Sequence, residues 1–313
     1  MKGYNDLRIV FMGTPEFAVA SLDALVKAGC HIIAVITAPD KPAGRGMQLQ
    51  RSPVKKYAVD NNLHVLQPEK LKSPEFLSAL KLLHADLQIV VAFRMLPEVV
   101  WNMPPMGTIN LHGSLLPQYR GAAPINWAVI NGETETGVTT FKLKHEIDTG
   151  DILLQEKFPI GENETAGEVH DKMKEIGANV LVKTVKGLAD NSINEKPQLS
   201  TFNSPLSALH HAPKIFTDTC KIDFTKTVDE VHNLIRGLSP FPGAFTVFDG
   251  KVLKIFKTEK KYDTLLVNRI GWETDYKTYL RFACANGYVY VKELQLEGKK
   301  KMLAEDFLRG YRF

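Results

Sequence analysis

The sequence predicts an α/β protein: a doubly wound, mostly parallel, Rossmann-like sheet followed by a smaller antiparallel β-barrel of OB-like type. Three observations carry that expectation. Through residue 190, short apolar runs alternate with helix-periodic segments. From residue 214 onward, strand-like runs are joined by Asp-Gly and Asn-Gly turns. Between them lies a polar, proline-containing stretch with weak periodicity. The expected boundaries are therefore 1–190 for the first domain, 191–213 for a linker and 214–313 for the barrel.

The elements follow in order. RIVFMG (Arg8–Gly13) is an apolar run closed by glycine, and TPEFAVASLDALVKAG has helical periodicity. Thr14 is its expected cap, Pro15 suits the first turn and Gly29 ends it. HIIAVIT (His31–Thr37), HVL (His64–Leu66), DLQIVVAF (Asp86–Phe93) and GTINLH (Gly107–His112) read as further strands, with helices near Val54–Asn61 and Pro74–His84. APINWAVING reads as a helix, GVTTFKL and DILLQEKFPI as strands. Thr165–Asp190 is a long amphipathic helix with Val169, Met173, Ile176, Val180 and Leu181 on one face. In the last third, VDEVHNLIRGL is a helix, and AFTVFDGKVLKIFK and YLRFACANGYVYVKELQLEGKK are hairpins.

The 313 residues carry a net charge of +4, unevenly placed. The stretch from Leu206 to Phe313 holds 18 basic and 13 acidic residues, whereas the preceding part is nearly balanced. A basic second half suits a polyanion such as RNA, and charge alone leaves a lysine-rich solvated surface equally open. Cys30, Cys220 and Cys284 are widely spaced and form no Cys-x-x-Cys or Cys/His cluster, which argues against a disulfide framework or a zinc site. No secretory h-region or long apolar run is present, so a cytoplasmic protein without membrane contact is expected, with monomer as the default.

Gly13 stands alone after the first strand, without Gly-x-Gly-x-x-Gly, which excludes a nicotinamide or flavin cofactor. The loop Thr37–Pro53 carries Lys41, Arg45 and Arg51 among prolines and glycines. A basic loop of that length leaving a strand end suits a nucleic-acid backbone, and composition leaves a merely solvated loop open.

INLHGSLLPQYRGAAP (Ile109–Pro124) concentrates the chemistry. Residues two apart in a strand face the same side, so Asn110 and His112 point together at the C-terminal end of a parallel strand, where open α/β sheets bind ligands. A lone strand-end histidine is more often structural than catalytic, and HEIDTGD (His145–Asp151) adds Asp148 in a turn between the next two strands. Asn donates to an oxyanion, His hydrogen-bonds or moves protons, and Asp orients the imidazole. One residue of each makes a poor cation cage, so no metal is expected. The set suits acyl or one-carbon transfer to an amine without a covalent enzyme intermediate. Ser114 as a nucleophile is disfavoured, because Gly-Ser-Leu-Leu lacks the Gly-x-Ser-x-Gly elbow.

Asn110-x-His112-x-Ser114-Leu115-Leu116-Pro117 followed by Asp148-Thr149-Gly150-Asp151 resembles the folate-dependent formyltransferases. FMGTPEFA, PDKPAGRG, SPVK, VVAF, YRGAAPI, ETGVT and DTGDIL agree with that family in order and spacing, and the resemblance covers essentially the whole chain. It is looser in the second half, through AFTVFDGKVLKI and GKKKMLAEDFLRG. The resemblance implies 10-formyltetrahydrofolate as formyl donor, with Asn110, His112 and Asp148 as the catalytic set. It implies a formyl-folate pocket that includes Ser114, Leu115, Leu116 and Pro117, and a loop around Arg45 that wedges against a tRNA acceptor arm. The implied acceptor is the α-amine of initiator methionyl-tRNA, with the second half as a tRNA-binding barrel. Departures occur at Ala92-Phe93-Arg94, where the family has Ala-Tyr-Gly, and at Lys144 and Glu146, where it has Asp and Gly. Rival readings are a formyltransferase acting on glycinamide ribonucleotide or an amino-sugar nucleotide, and a non-catalytic RNA- or folate-binding module. The basic loop, the extra basic domain and the complete Asn/His/Asp set argue against them.

Overall fold

The computed structural model describes residues 3–43, 47–198, 209–263 and 271–311. Two compact units interleave along the chain: residues 1–120, 137–157 and 171–210 form one, and residues 121–136, 158–170 and 211–313 the other.

The first unit is built on a seven-stranded sheet. Its strands are β1 (Ile9–Gly13), β2 (Ile32–Ile36), β5 (Val65–Leu66), β6 (Leu87–Val91), β7 (Thr108–His112), β9 (Glu135–Lys142) and β10 (Ile152–Pro159), in the order β10-β9-β7-β6-β1-β2-β5. β5, β2, β1, β6 and β7 run parallel, and β9 runs antiparallel to β7. From β1 the chain builds first toward β5 and then, from β6, the other way. In sheets with such a reversal, ligands bind at the C-terminal strand ends beside it.

The central strands are apolar on both faces because helices cover both. Val10, Met12, Ala34, Ile36 and Val90 pack with Phe76 and Leu80 of helix α3 (Pro74–Leu82) and Val100 of α4 (Glu98–Trp101). On the opposite face, α6 (Ala166–Ala189) approaches so closely that a Cβ on Gly177 would lie 3.0 Å from Leu111, and Thr184 hydrogen-bonds Thr140 at 2.8 Å. Met173, Val180 and Leu181 of α6 are buried as its periodicity predicts, whereas Ile176 is half-buried. Helix α1 (Glu16–Lys27) differs from expectation at its start. Pro15, extended at φ −80°, occupies the cap position, and no side chain caps the helix, so Thr14 does not serve as the cap. Gly29 (φ 78°) closes it as expected. In α2 (Pro53–Asp60), Ser52 is the cap, accepting from Lys55 N at 3.0 Å.

The Thr37–Pro53 loop is not wholly irregular. Strands β3 (Lys41–Ala43) and β4 (Gln48–Gln50) pair as a short antiparallel hairpin. Arg45 lies outside the described residues.

The second unit contains α5 (Pro124–Ile130), α7 (Val228–Gly237), α8 (Ala304–Gly310), the two-residue strands β8 (Arg120–Gly121) and β11 (His211–Ala212), and an antiparallel sheet. That sheet comprises β12 (Ala244–Phe248), β13 (Lys251–Tyr262), β14 (Trp272–Thr274), β15 (Leu280–Cys284), β16 (Gly287–Leu296) and β17 (Met302–Leu303). The Asp249-Gly250 turn joins β12 to β13, as its residue types predict. β15 and β16 also form a hairpin, but its two turn residues are Ala285 and Asn286, because Gly287 already lies in β16 opposite Cys284. Irregular register at Ile255–Thr258 lets the long β13 bend, giving the curled half-barrel. The inner side buries Ile235, Phe248, Leu253, Val289 and Leu294. Phe248 and Tyr288 are core residues, and Phe245 and Tyr290 are half-buried. Among the described residues, no helix is long and apolar enough to cross a membrane.

Candidate active site

β7 carries apolar residues on one face and polar ones on the other. Ile109 and Leu111 turn toward the α6 side, where Leu111 meets Gly177. Asn110, opposite Val90 of β6 and Phe141 of β9, turns with His112 to the other face. The half-buried Asn110 and the buried His112 thus stand together at the strand end, as the alternation predicts. The Phe141 ring meets the imidazole edge-on, 6.4 Å between centroids.

Asp148 reaches the same place. Its Oδ2 lies 3.8 Å from His112 Nδ1, with the imidazole and carboxylate side chains only 8% and 14% exposed. That separation is ion-pair distance but too long for a hydrogen bond. The bond that fixes the ring is on its other side: Nε2 lies 2.9 Å from the Tyr119 carbonyl oxygen. A carbonyl only accepts, so Nε2 carries the proton there and Nδ1 is the nitrogen turned to Asp148. Left-handed backbone gathers around this pair, with φ 59° at Tyr119, 54° at Asp148 and 46° at Ala92. Asp accepts that conformation readily, whereas Tyr and Ala hold it only because their surroundings impose it.

The turn Ser114–Pro117 leaves β7 through a buried network. Ser114 is fully buried and donates its hydroxyl to Gln118 O at 2.6 Å, which makes it a turn-closing group in this conformation. Thr139 on β9 is the hub. Its Oγ1 donates to Ser114 O at 2.7 Å and accepts from Leu116 N at 3.1 Å and from Gln155 Nε2 at 2.9 Å. Gln155 Nε2 also donates to Leu116 O at 2.9 Å. Leu116 is buried, while Leu115 and Pro117 remain half-exposed. Gly137 leaves room for Leu115, whose Cδ2 lies 2.5 Å from where a Cβ would stand. Sequence reasoning missed Thr139, Gln155 and the Tyr119 carbonyl. With three threonines, a glutamate and a lysine in β9 (ETGVTTFK), nothing local singles Thr139 out.

The departures from the family pattern have visible partners. Arg94 turns its guanidinium to the carbonyl oxygens of Pro68 and Glu69, the latter at 2.7 Å, and lies over the Phe93 ring. Burial lowers its pKa from the usual guanidinium value. Lys144 pairs with Asp151 at 2.8 Å, and Glu146 is exposed, its carbonyl accepting from Thr149 at 3.0 Å. The base of the basic hairpin is pinned. Asp40 pairs with Lys55 at 2.5 Å and accepts from Gln67 at 2.9 Å, and these bonds hold its carboxyl below the usual carboxylate range. Thr37 and Ser52 hydroxyls meet at 2.7 Å. Lys41 and Arg51 are exposed on this hairpin, together with the apolar Met47 and Leu49. Among the described residues, no three His, Cys, Asp or Glu side chains are gathered to hold a metal.

Comparison with known proteins gives this geometry a context. Residues 7–185 match the model described as formyl transferase, and residues 214–312 match the formyl transferase C-terminal domain. The chain is 53% identical to a methionyl-tRNA formyltransferase of Bacteroides fragilis, covering 98% of this chain and 96% of the relative. It is 56% identical to the methionyl-tRNA formyltransferase of Phocaeicola vulgatus, covering 98% and 97%. Its fold is similar to that of an N-formyltransferase from Helicobacter canadensis solved with folinic acid and dTDP-3-aminofucose. That likeness has a TM-score of 0.65 and 22% identity, over 95% of this chain and 100% of the other.

Proposed function

Because this chain belongs to the formyl transferase family, we propose that it moves the formyl group of 10-formyltetrahydrofolate onto the α-amino group of initiator methionyl-tRNA. One observation carries the reading. His112 and Asp148 converge at the end of β7, in a chain 53% identical, over nearly its full length, to a relative bearing the methionyl-tRNA formyltransferase name.

The reaction is a direct transfer. The free amine attacks the formyl carbon, a C–N bond forms, and the carbonyl oxygen becomes an oxyanion. Asn110 supplies an amide N–H to that oxygen from the polar face of β7. His112 is anchored through Nε2 to the Tyr119 carbonyl, which leaves Nδ1 to hydrogen-bond the intermediate or carry a proton. Asp148, at 3.8 Å, presents its carboxylate to that same nitrogen. Collapse breaks the bond to N10, and the proton lost by the amine ends on N10. Leu115 and Pro117, half-exposed on a turn made rigid by Thr139, offer an apolar wall to the folate. Lys41 and Arg51 on the hairpin, Arg45 between them in sequence, and the basic second half are the proposed contacts to the tRNA backbone.

The experiment supplies 10-formyltetrahydrofolate with either initiator or elongator methionyl-tRNA. Formylmethionyl product from the initiator species supports the reading. Formylation of a small amino sugar or free amine in its place contradicts it.

A further inference from the structure

We infer that Gln198 and Arg120 form a clamp that sets the approach of Asp148 to His112, making both of them positioning residues for the transfer. The inference rests on the function proposed above. Gln198 lies in the segment that follows the long helix, and its carboxamide is used completely. Its Nε2 donates to the carbonyl oxygens of Asp148 at 2.9 Å and Gly150 at 2.8 Å. Its Oε1 accepts from Arg120 Nε at 3.2 Å and Nη2 at 2.6 Å. Two N–H groups and two lone pairs are the full capacity of a glutamine amide.

The two ends of this chain of bonds meet the two halves of the site. Arg120 follows Tyr119, whose carbonyl oxygen holds His112 Nε2 at 2.9 Å. The other end grips the peptide oxygens on both sides of Thr149, in the turn that presents the Asp148 carboxylate. The link therefore spans from the backbone that fixes the imidazole to the backbone that fixes the carboxylate. The turn needs such a hold. Asp148 is left-handed at φ 54°, and Gly150 lies so near β9 that a Cβ there would stand 1.5 Å from Lys142 O. The segment bearing Gln198 is itself anchored: Lys196 and Ile152 exchange backbone hydrogen bonds of 2.9 and 2.8 Å, and Glu195 pairs with Lys142. Burial lowers the pKa of the Arg120 guanidinium, and Asp148 and Glu146 lie close enough to oppose part of that shift.

A double-mutant cycle tests the clamp on the full-length protein. Q198A removes it, Q198E keeps the contact with Arg120 but cannot donate to the two carbonyls, and D148N keeps a side chain suited to left-handed backbone. In the wild-type background, Q198A and Q198E each lower kcat by about 10–100-fold, the scale of a misplaced catalytic group, while KM for the folate stays within about twofold. In the D148N background, adding Q198A changes kcat by less than about twofold, because the group it positions is already lost. Wild-type kcat in both Gln198 variants overturns the inference. So does an unchanged multiplicative loss on D148N, which a general structural role would give. If Q198A does not fold, Q198E and D148N/Q198E decide the same question. If D148N and H112A themselves turn over like wild type, the proposed function fails rather than the clamp.

Discussion

His112 has two different neighbours, and they have separable roles. The Tyr119 carbonyl, at 2.9 Å, fixes the ring, while Asp148, at 3.8 Å, acts through charge. Replacing His112 by Ala is expected to cut turnover by about 10²–10³-fold, the scale of a lost acid/base or oxyanion group, and to lower the melting temperature modestly, because it removes a buried hydrogen bond. Steady-state formylation and a thermal melt check both parts. Thr139 gives the opposite pattern. Thr139→Val removes two hydrogen bonds to the Ser114–Pro117 turn and one from Gln155, so a loss of about 1–3 kcal/mol in urea unfolding is expected, with a raised KM for the folate. His232, away from this site, is a pH sensor of stability. Burial, with Arg236 and Lys260 adding to it, lowers its pKa from 6.5 to about 4, and its Nδ1 meets Thr258 Oγ1 at 2.9 Å. Between those pH values the unfolded chain binds a proton that the folded chain does not. Stability therefore falls as pH drops below about 6.5, and the loss is complete below about 4, on the order of 3 kcal/mol. Denaturant midpoints from pH 7 to 4 measure this, and a His232→Gln variant should show a flatter acid limb.

Secondary structure was largely legible because its signals are local. The alternation in INLH gave both the strand and the shared face of Asn110 and His112, the Asp-Gly pair gave one hairpin turn, and the Asn-Gly pair gave a second hairpin whose turn lies one residue earlier, at Ala285-Asn286. The missing parts depend on residues distant in sequence. Nothing near Pro42 announces that Lys41–Ala43 pairs with Gln48–Gln50, because a short strand pair of mixed polarity has no periodicity to read. The cap of α1 shifted by one residue because Pro15 takes the extended cap conformation itself. Thr139 and Gln198 were invisible as site residues, since a lone polar side chain shows nothing of its partner 25 or 50 residues away. The α7 cap was not read either: Thr227 and Glu230 form a reciprocal capping box. Thr227→Ala is expected to cost about 1 kcal/mol in the stability of the second unit, measurable by hydrogen exchange of the α7 amides.

The charge asymmetry of the chain has a measurable consequence across both substrates. A basic second half and an exposed basic hairpin suit a polyanion held through counterion release, whereas the turn proposed to face the folate is built of apolar and neutral groups. Raising salt from about 50 to 200 mM should therefore increase KM for the tRNA at least several-fold and leave KM for the folate nearly constant. Equal salt dependence of the two would remove the electrostatic part of the account. The central claim is the transfer itself, and it is met most directly by following a labelled formyl group. Wild-type protein, 10-formyltetrahydrofolate carrying the label and initiator methionyl-tRNA should give labelled formylmethionyl-tRNA, with H112A and D148N making far less. Label that stays on the folate with wild-type protein, or reaches the tRNA equally fast with all three proteins, would contradict it.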